Sequence, residues 1–507
     1  MVVRDVIRLI VLCLALSITA LQAEPGNLAL LGGTAITIAD PDPIEDSVVL
    51  VRDGRIEHIG KRTDIEIPEG FQVIDAEGRW ITPGLIDTNV HLILTTIPEF
   101  YVKYEDDLEE IAIQSAQVGL KYGMTTMADS WGPLEPLKRA RDRINAGEFQ
   151  GSRVLIAGNI VGLGGPFSNY FMGSWPLHGV TVRYGGWVHP VIQGRINKLW
   201  EAGAGPEMLA MTPDEAADAM RAYIAQGVDF VKIAVSGHGI GPVEPLMFSP
   251  RVMRAMREVV REAGIPFQTH SFSVESLRQS IDLEPDFLQH PNVMSVPWQF
   301  ASDAQKAATR EMIDEIVQKG IISGLMMIPN RDQIEIIAGW DSSKHDDPWI
   351  NKVMENRKGH FASGHYSGDK FEEISAGVKT WLDAGVIFTI ATDQGPEAAD
   401  LGPTIWGRLG RAHFERMEAL QQIGASPMEI LTAATRNGAA AYDLEDEIGT
   451  IEAGKAADLL VLEADPLEDV ANLRRIQYVI KGGQIIDRES LPTVKILDYD
   501  PEAVWPE

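Results

Sequence analysis

The chain is 507 residues long, 45% hydrophobic and 23% charged, with a net charge of −29. That is the profile of a soluble globular protein with room for one large domain and at least one smaller one. The negative charge is spread along the chain, which argues against nucleic acid as a partner, because phosphate binding needs basic surface.

The N-terminus differs from the rest of the chain. Arg4 and Arg8 flank a short polar start, "LIVLCLALSITAL" is continuously apolar, and "QAEPG" brings small and turn-forming residues. This reads as a secretory signal peptide over residues 1–23, cleaved after Ala23, and so as a periplasmic or secreted protein. The run is short for a spanning helix, and no stable membrane insertion is expected after cleavage. Cys13, the only cysteine, lies inside it. The mature chain would then carry no disulfide, and any metal site must use His, carboxylate or Lys-derived ligands.

Residues 27–82 alternate apolar and polar residues between turn signals, and "RDGR" is a hairpin signal. Residues 447–488 show the same grammar in "AADLLVLEADPL" and "RIQYVIKGGQII". Together they predict a small β-sandwich domain assembled from both termini, with residues 489–507 as a C-terminal tail.

Between them, residues 83–446 change rhythm. Eight short apolar runs alternate with amphipathic helical stretches: "GLIDTNVHLIL", "MTTMADS", "SRVLIAGNIVG", "DFVKIAVSG", "PFQTHSFS", "DFLQHPN", "IISGLMMIP" and "VIFTIATDQGP". The pattern predicts an α/β fold, a (β/α)8 TIM barrel. A doubly wound sheet fits less well, since no Gly-rich nucleotide fingerprint follows the first strand. Two connections, residues 163–211 and 330–368, are long for a compact domain and would rise from the catalytic end.

Polar residues recur at the ends of these runs. In "ITPGLIDTNVHLIL", Asp87, Asn89 and His91 alternate and are expected to share one face. The fourth run carries Lys232, and His270, His290 and Asp393 end three further ones. One histidine in a strand is usually structural. Polar groups at five strand ends converge on one face of a barrel and mark a site. His and carboxylate without cysteine suit a borderline divalent ion: zinc first, then cobalt, manganese or nickel. Lys232 has two readings. It is either paired with a nearby carboxylate, or desolvated and neutral, able to take up carbon dioxide and become N6-carboxylysine.

These segments identify the chain as resembling the amidohydrolase superfamily. "PGLIDTNVH" resembles its first-strand signature, "VKIAVSG" its carboxylated-lysine segment, and "THSFS", "LQHPN" and "IATDQGP" its later ligand segments. "LTAATRNGAAAYDLEDEIGTIEAGKAADLLVLEADPL" resembles the closing helix and sheet. The likeness spans nearly the whole mature chain, and is narrower towards imidazolonepropionase-like proteins and secreted metallo-dipeptidases.

The resemblance implies that His91 and Asp393 bind one metal position, that His270 and His290 bind a second, and that carboxylated Lys232 bridges them. It also implies that Asp393 is the general base for a metal-activated water. His238, just past the fourth strand, is a candidate oxyanion donor. The pattern expects histidine at position 89 and the chain has Asn89, a weaker ligand, so one ion per subunit is expected. Asn-X-His at this place is a feature of phenylurea and thiocarbamate hydrolases of the superfamily. The aromatic loop residues Phe167, Tyr170, Phe171, Trp175 and Trp187 would suit an apolar or aryl substrate, or else pack within the loop or a subunit interface. The expected activity is hydrolysis of a small amide, urea or carbamate by a homo-oligomer. A secreted dipeptidase or N-acyl amino acid hydrolase is the alternative, with Arg183, Arg195 or Arg331 holding the substrate carboxylate. A degenerate binding protein is the non-enzymatic one.

Overall fold

A computed structural model describes residues 27–498 except 96, 172–187, 239–244, 293–300, 327, 345–350, 352–353, 356–370, 399–400 and 402–407. Residues 1–23, expected to be a signal peptide, and Arg183, Trp175 and Trp187 therefore lie outside the described residues.

The chain opens with β1 (Leu28–Ala35), β2 (Ile44–Arg52), β3 (Arg55–Lys61), β4 (Gln72–Asp75) and β5 (Trp80–Pro83). The hairpin signal is a tight β2–β3 turn in which Arg52 pairs Arg55. Asp53 (φ 51°) and Gly54 (φ 80°) both take left-handed conformations. Two such residues give the turn whose twist matches its flanking strands.

Among the described residues the middle of the chain supplies nine parallel strands. They are β6 (Leu85–Val90), β7 (Met124–Asp129), β8 (Arg153–Ile156), β9 (Ile160–Val161), β10 (Val231–Ala234), β11 (Phe267–His270), β12 (Phe287–Gln289), β13 (Ile322–Leu325) and β14 (Phe388–Ile390). The chain then returns as β15 (Leu459–Leu462), β16 (Ile476–Lys481) and β17 (Gln484–Ile485).

The first and last groups share one eight-stranded sheet, in the order β17-β16-β15-β5-β1-β2-β3 with β4 beside β1. The seam is antiparallel, with Leu459 opposite Pro83 and Leu462 opposite Trp80. Leu30, Val49, Ile81 and Val461 fill the core on one side, and Ala29, Val48, Leu50 and Phe71 that on the other. Among the described residues these strands are joined in a single sheet, where the sequence pattern led us to expect the two layers of a sandwich.

The remaining strands form a three-stranded sheet β6-β7-β8 and a six-stranded sheet β9 to β14. Every residue of β6, β7, β10, β11 and β12 is buried, as in parallel strands covered on both faces. Helices follow them, including Leu108–Lys121 after β6, Leu134–Asn145 after β7, Pro250–Ala263 after β10 and Ala412–Ile423 after β14. Pro250–Ala263 shows how the sequence builds one. Proline opens it, Val252, Met253, Met256, Val259 and Val260 form its buried stripe, and left-handed Gly264 ends it.

This is a TIM-barrel-type α/β arrangement in which neither sheet closes into a ring of its own. The third predicted strand is split into β8 and β9. The break falls at Gly158 (φ 68°), where a Cβ would lie 2.4 Å from Tyr223 Oη. At the opposite edge β6 and β14 meet through a Val90–Gln394 bridge, with His91 N–H donating to Gln394 O at 2.8 Å. Thr88 Oγ1 and Thr389 Oγ1 add a bond of 2.7 Å inside the same seam.

The two long connections are partly helical, since they contain Pro190–Glu201 and Arg331–Ala338. The first residues of the expected tail are anchored. The Gln117 side chain accepts from Thr493 N and Val494 N, and Gln114 from Ile496 N and Leu497 N. Among the described residues no helix is long and apolar enough to cross a membrane.

Candidate active site

The first-strand contribution departs from simple alternation. The β6–β7 register shifts between Asp87 and Val90. Asn89 and His91 still converge on one atom: Asn89 Nδ2 lies 3.0 Å and His91 Nε2 2.9 Å from Asp393 Oδ1. Asp87 turns instead to the segment before Asp393. Its Oδ1 accepts from Asn89 N and Thr392 N, each at 3.1 Å, and its Oδ2 lies 2.6 Å from Thr392 Oγ1. Asp393 N–H donates to Asn89 O at 2.6 Å. The first strand thus grips the residue that ends the last one.

On the other side, β11 ends at His270 and β12 leads into His290, with His290 Nε2 2.9 Å from His270 Nδ1. His290 comes directly after Gln289, and the two would face opposite ways in an unbroken strand. A positive φ of 39° at His290 breaks the strand there, and Asp393 has φ 58°. Strained non-glycine backbone of this kind concentrates at functional positions. Lys232, on β10, is 1% exposed and feels the charges of Asp393 and Asp129. His238 lies against the same cluster, its ring centroid 5.0 Å from that of His270.

Two features test whether this donor set suits a cation. His91 Nδ1 lies 3.2 Å from the Trp131 carbonyl, an acceptor only, so it must carry the proton. In a neutral ring Nε2 is then a lone pair facing a carboxylate oxygen, an arrangement that calls for a proton or metal ion between them. His270 Nε2 is buried without a hydrogen-bond partner among the described residues. The residues fit a divalent ion in chemistry. As they stand they form two pairs, and among the described residues no three His, Cys, Asp or Glu side chains converge on one point.

The amidohydrolase family pattern matches residues 80–486. The chain belongs to the amidohydrolase family. The solved structure of molinate hydrolase superposes with a TM-score of 0.79 at 30% identity, covering 92% of this chain and 96% of that one. Phenylurea hydrolase B gives 0.78 at 30% identity, over 94% of this chain and all of its own. Ochratoxinase from Aspergillus niger is 23% identical over 464 residues, 88% of this chain and 84% of its own. This amidohydrolase is accordingly a hydrolase of C–N bonds acting on a small molecule, in a superfamily whose members typically bind a divalent metal.

The electrostatics of the amidohydrolase site are set by burial. Burial brings Lys232 down to about 8, against the charges of Asp393 and Asp129. Burial together with the Lys232 charge pushes His290 to about 3, and burial with the neighbouring His290 pushes His270 well below its ordinary range. Both imidazoles are neutral at pH 7, the state a ligand needs. Burial pushes Asp393 up, but the hydrogen bond with His91 and the charges of His91 and Lys232 outweigh it and hold the carboxylate ionised. The Asp393 side chain is 36% exposed while that of His91 is 6%, so its carboxylate is the accessible member of the pair.

Several neighbours were not singled out from sequence. Asp129 ends β7, accepts from Leu92 N at 2.6 Å and Trp131 N at 3.2 Å, and is raised by burial to about 6. Its position at a strand end was the available signal. Phe272 stacks on His290 (4.5 Å, 12°) and meets His238 and His270 edge-on, each at 4.7 Å.

The aromatic loop divides. Phe171 stands edge-on to Trp131 at 4.5 Å and to His238 at 4.9 Å, beside the site. Tyr170 reaches His238 through its backbone carbonyl, 2.9 Å from His238 N. Phe167 packs edge-on to Tyr101 in the hydrophobic core. Of the proposed carboxylate clamps, Arg195 pairs with Glu105 and Arg331 with Glu372.

Proposed function

We propose that this amidohydrolase cleaves the C–N bond of a small, largely apolar urea or carbamate, or the C–S bond of a thiocarbamate. The observation that carries this reading is the Asp393 carboxylate held between His91 and Asn89, opposite Lys232, His270 and His290. The two hydrolases 30% identical over nearly their whole length point to the substrate class.

His91, His270, His290 and Asp393 would hold the ion, zinc or failing that cobalt, manganese or nickel. Asn89 in place of the expected histidine favours a single ion. A divalent ion bound here supplies Lewis acidity, making a water acidic and polarising the scissile carbonyl. Asp393 accepts the proton of the attacking water, being ionised, accessible and fixed in direction by its strained backbone. His238, beside His270, donates to the oxygen that gains charge. Phe171 and Phe272 line an apolar approach suited to an aryl or alkyl substituent.

The near-neutral amine of Lys232 supports its reading as a carboxylated lysine. The β6–β14 seam and the narrow β8–β9 break support the two parallel sheets as the wall of one eight-stranded barrel over residues 83–446. Export through residues 1–23 and assembly as a homo-oligomer complete the proposal. The engaged state of Arg195 and Arg331 weighs against a dipeptidase.

A substrate panel tests the reading. Aryl ureas and thiocarbamates should be turned over, dipeptides should not, and dialysis against a chelator should abolish turnover until cobalt or zinc is restored. Turnover confined to dipeptides, or undiminished by chelation, would replace it.

A further inference from the structure

Asn89 occupies a position where the superfamily pattern expects a ligand, so its default reading is a weak ligand or none. The geometry gives it different work. The side chain is wholly buried. One end of its amide faces two groups, Asp393 Oδ1 at 3.0 Å and Met326 Sδ at 3.5 Å. An ionised carboxylate and a thioether are both acceptors only. An amide oxygen there would sit 3.0 Å from a carboxylate oxygen with no proton between them, so the NH2 must take that end. The oxygen end points away and has no hydrogen-bond partner among the described residues.

Asn89 is also tied through its backbone. Its N–H donates to Asp87 Oδ1, and its carbonyl accepts from Asp393 N. One residue therefore holds Asp393 twice, by main chain and by side chain, at a position with φ 58°.

We infer that Asn89 is a positioning residue for the general base, donating its amide N–H to Asp393 Oδ1 and aiming the other carboxylate oxygen at the attacking water. This deepens the proposed function and rests on Asp393 being the base. A histidine in this place would compete for the ion, whereas an asparagine can orient the carboxylate and stay off it. A hydrogen bond that orients a group beside a metal ligand is commonly worth about 10–100-fold in rate.

Neutron diffraction from crystals of the cobalt-loaded enzyme tests the orientation without any substrate. Deuterium on Asn89 Nδ2 directed at Asp393 supports the inference; an amide oxygen bound to the ion overturns it. In solution, Asn89→Ala should lower kcat by about 10–100-fold at unchanged KM and leave the positions of the cobalt ligand-field bands unaltered. Shifted bands, or unchanged kcat, would contradict the assignment. If Asn89→Ala does not fold, the near-isosteric Asn89→Leu decides. It removes the donor and should lose turnover similarly, and wild-type kcat in that variant would overturn the inference. The neutron result stands even if ureas and carbamates prove to be the wrong substrates.

Discussion

Asp393 combines three properties at one residue: an ionised carboxylate, an accessible face and a left-handed backbone. The conformation costs a non-glycine residue about 1–3 kcal/mol, which the surrounding bonds must offset. Asp393→Asn keeps the shape and removes the base, so kcat should fall by at least ~100-fold while circular dichroism stays unchanged. Retained turnover would remove Asp393 from this role.

Asp87 carries a separate, pH-dependent consequence. Burial raises its carboxyl from 3.8 to about 7, against hydrogen bonds from Thr392 and Asn89. The folded state therefore binds a proton that the unfolded state releases near pH 4, and stability falls as pH rises from about 4 to about 7. Each tenfold change in acidity is worth about 1.4 kcal/mol, so the loss amounts to ~4 kcal/mol. Asp87→Asn stays neutral throughout, and its melting temperature relative to the parent should rise across that window. A difference that stays flat would show that Asp87 ionises normally.

At this scale the sequence is most informative where a polar residue ends an apolar run. Lys232, His270, His290 and Asp393 stand out because nothing else explains a charge or imidazole there. What Asp87 does was not legible, because it depends on a register shift against β7 and on Thr392, a partner 305 residues away. The direction of the Asn89 amide was hidden for the same reason, since Met326 and Asp393 both lie far from it in the chain.

At the scale of elements, the seam between β6 and β14 sets the site. Just beyond it Gly395 allows the chain to pass very close to its neighbour: a Cβ there would lie 2.1 Å from Leu94 O and 3.1 Å from His91 O. Neither contact is with a flexible side chain, so backbone must move. Gly395→Ala should destabilise the fold by about 1–3 kcal/mol and reduce turnover by displacing Asp393. A melting temperature and kcat equal to the parent's would show that the seam tolerates separation. The eight strand runs were readable because parallel strands covered on both faces are continuously apolar. The split of the third was not, since Gly158 reads as an ordinary turn residue until Tyr223 is placed beside it. The terminal strands were equally clear, but periodicity cannot say how they pair. The antiparallel seam that puts Leu462 opposite Trp80 joins them in one sheet.

At the scale of the whole molecule, the first and last strand groups are joined to each other, and the last described residues are tied to the middle of the chain. β15 inserts beside β5, and residues 493–497 are held on the helix Leu108–Lys121 through Gln114 and Gln117. That helix comes after the strand carrying Asn89 and His91, and Ser115 Oγ on it donates to Leu92 O at 2.8 Å. The terminal segments thus brace the strand that carries Asn89 and leads into His91.

The proposed chemistry needs one divalent ion held among His91, His270, His290 and Asp393 beside Lys232. Anomalous diffraction recorded at the absorption edge of the metal in purified enzyme measures this directly. A single fully occupied peak should lie between the His91–Asp393 and His270–His290 pairs. Two equally occupied peaks with Asn89 Oδ1 bound to one, or no peak at these residues, would contradict it.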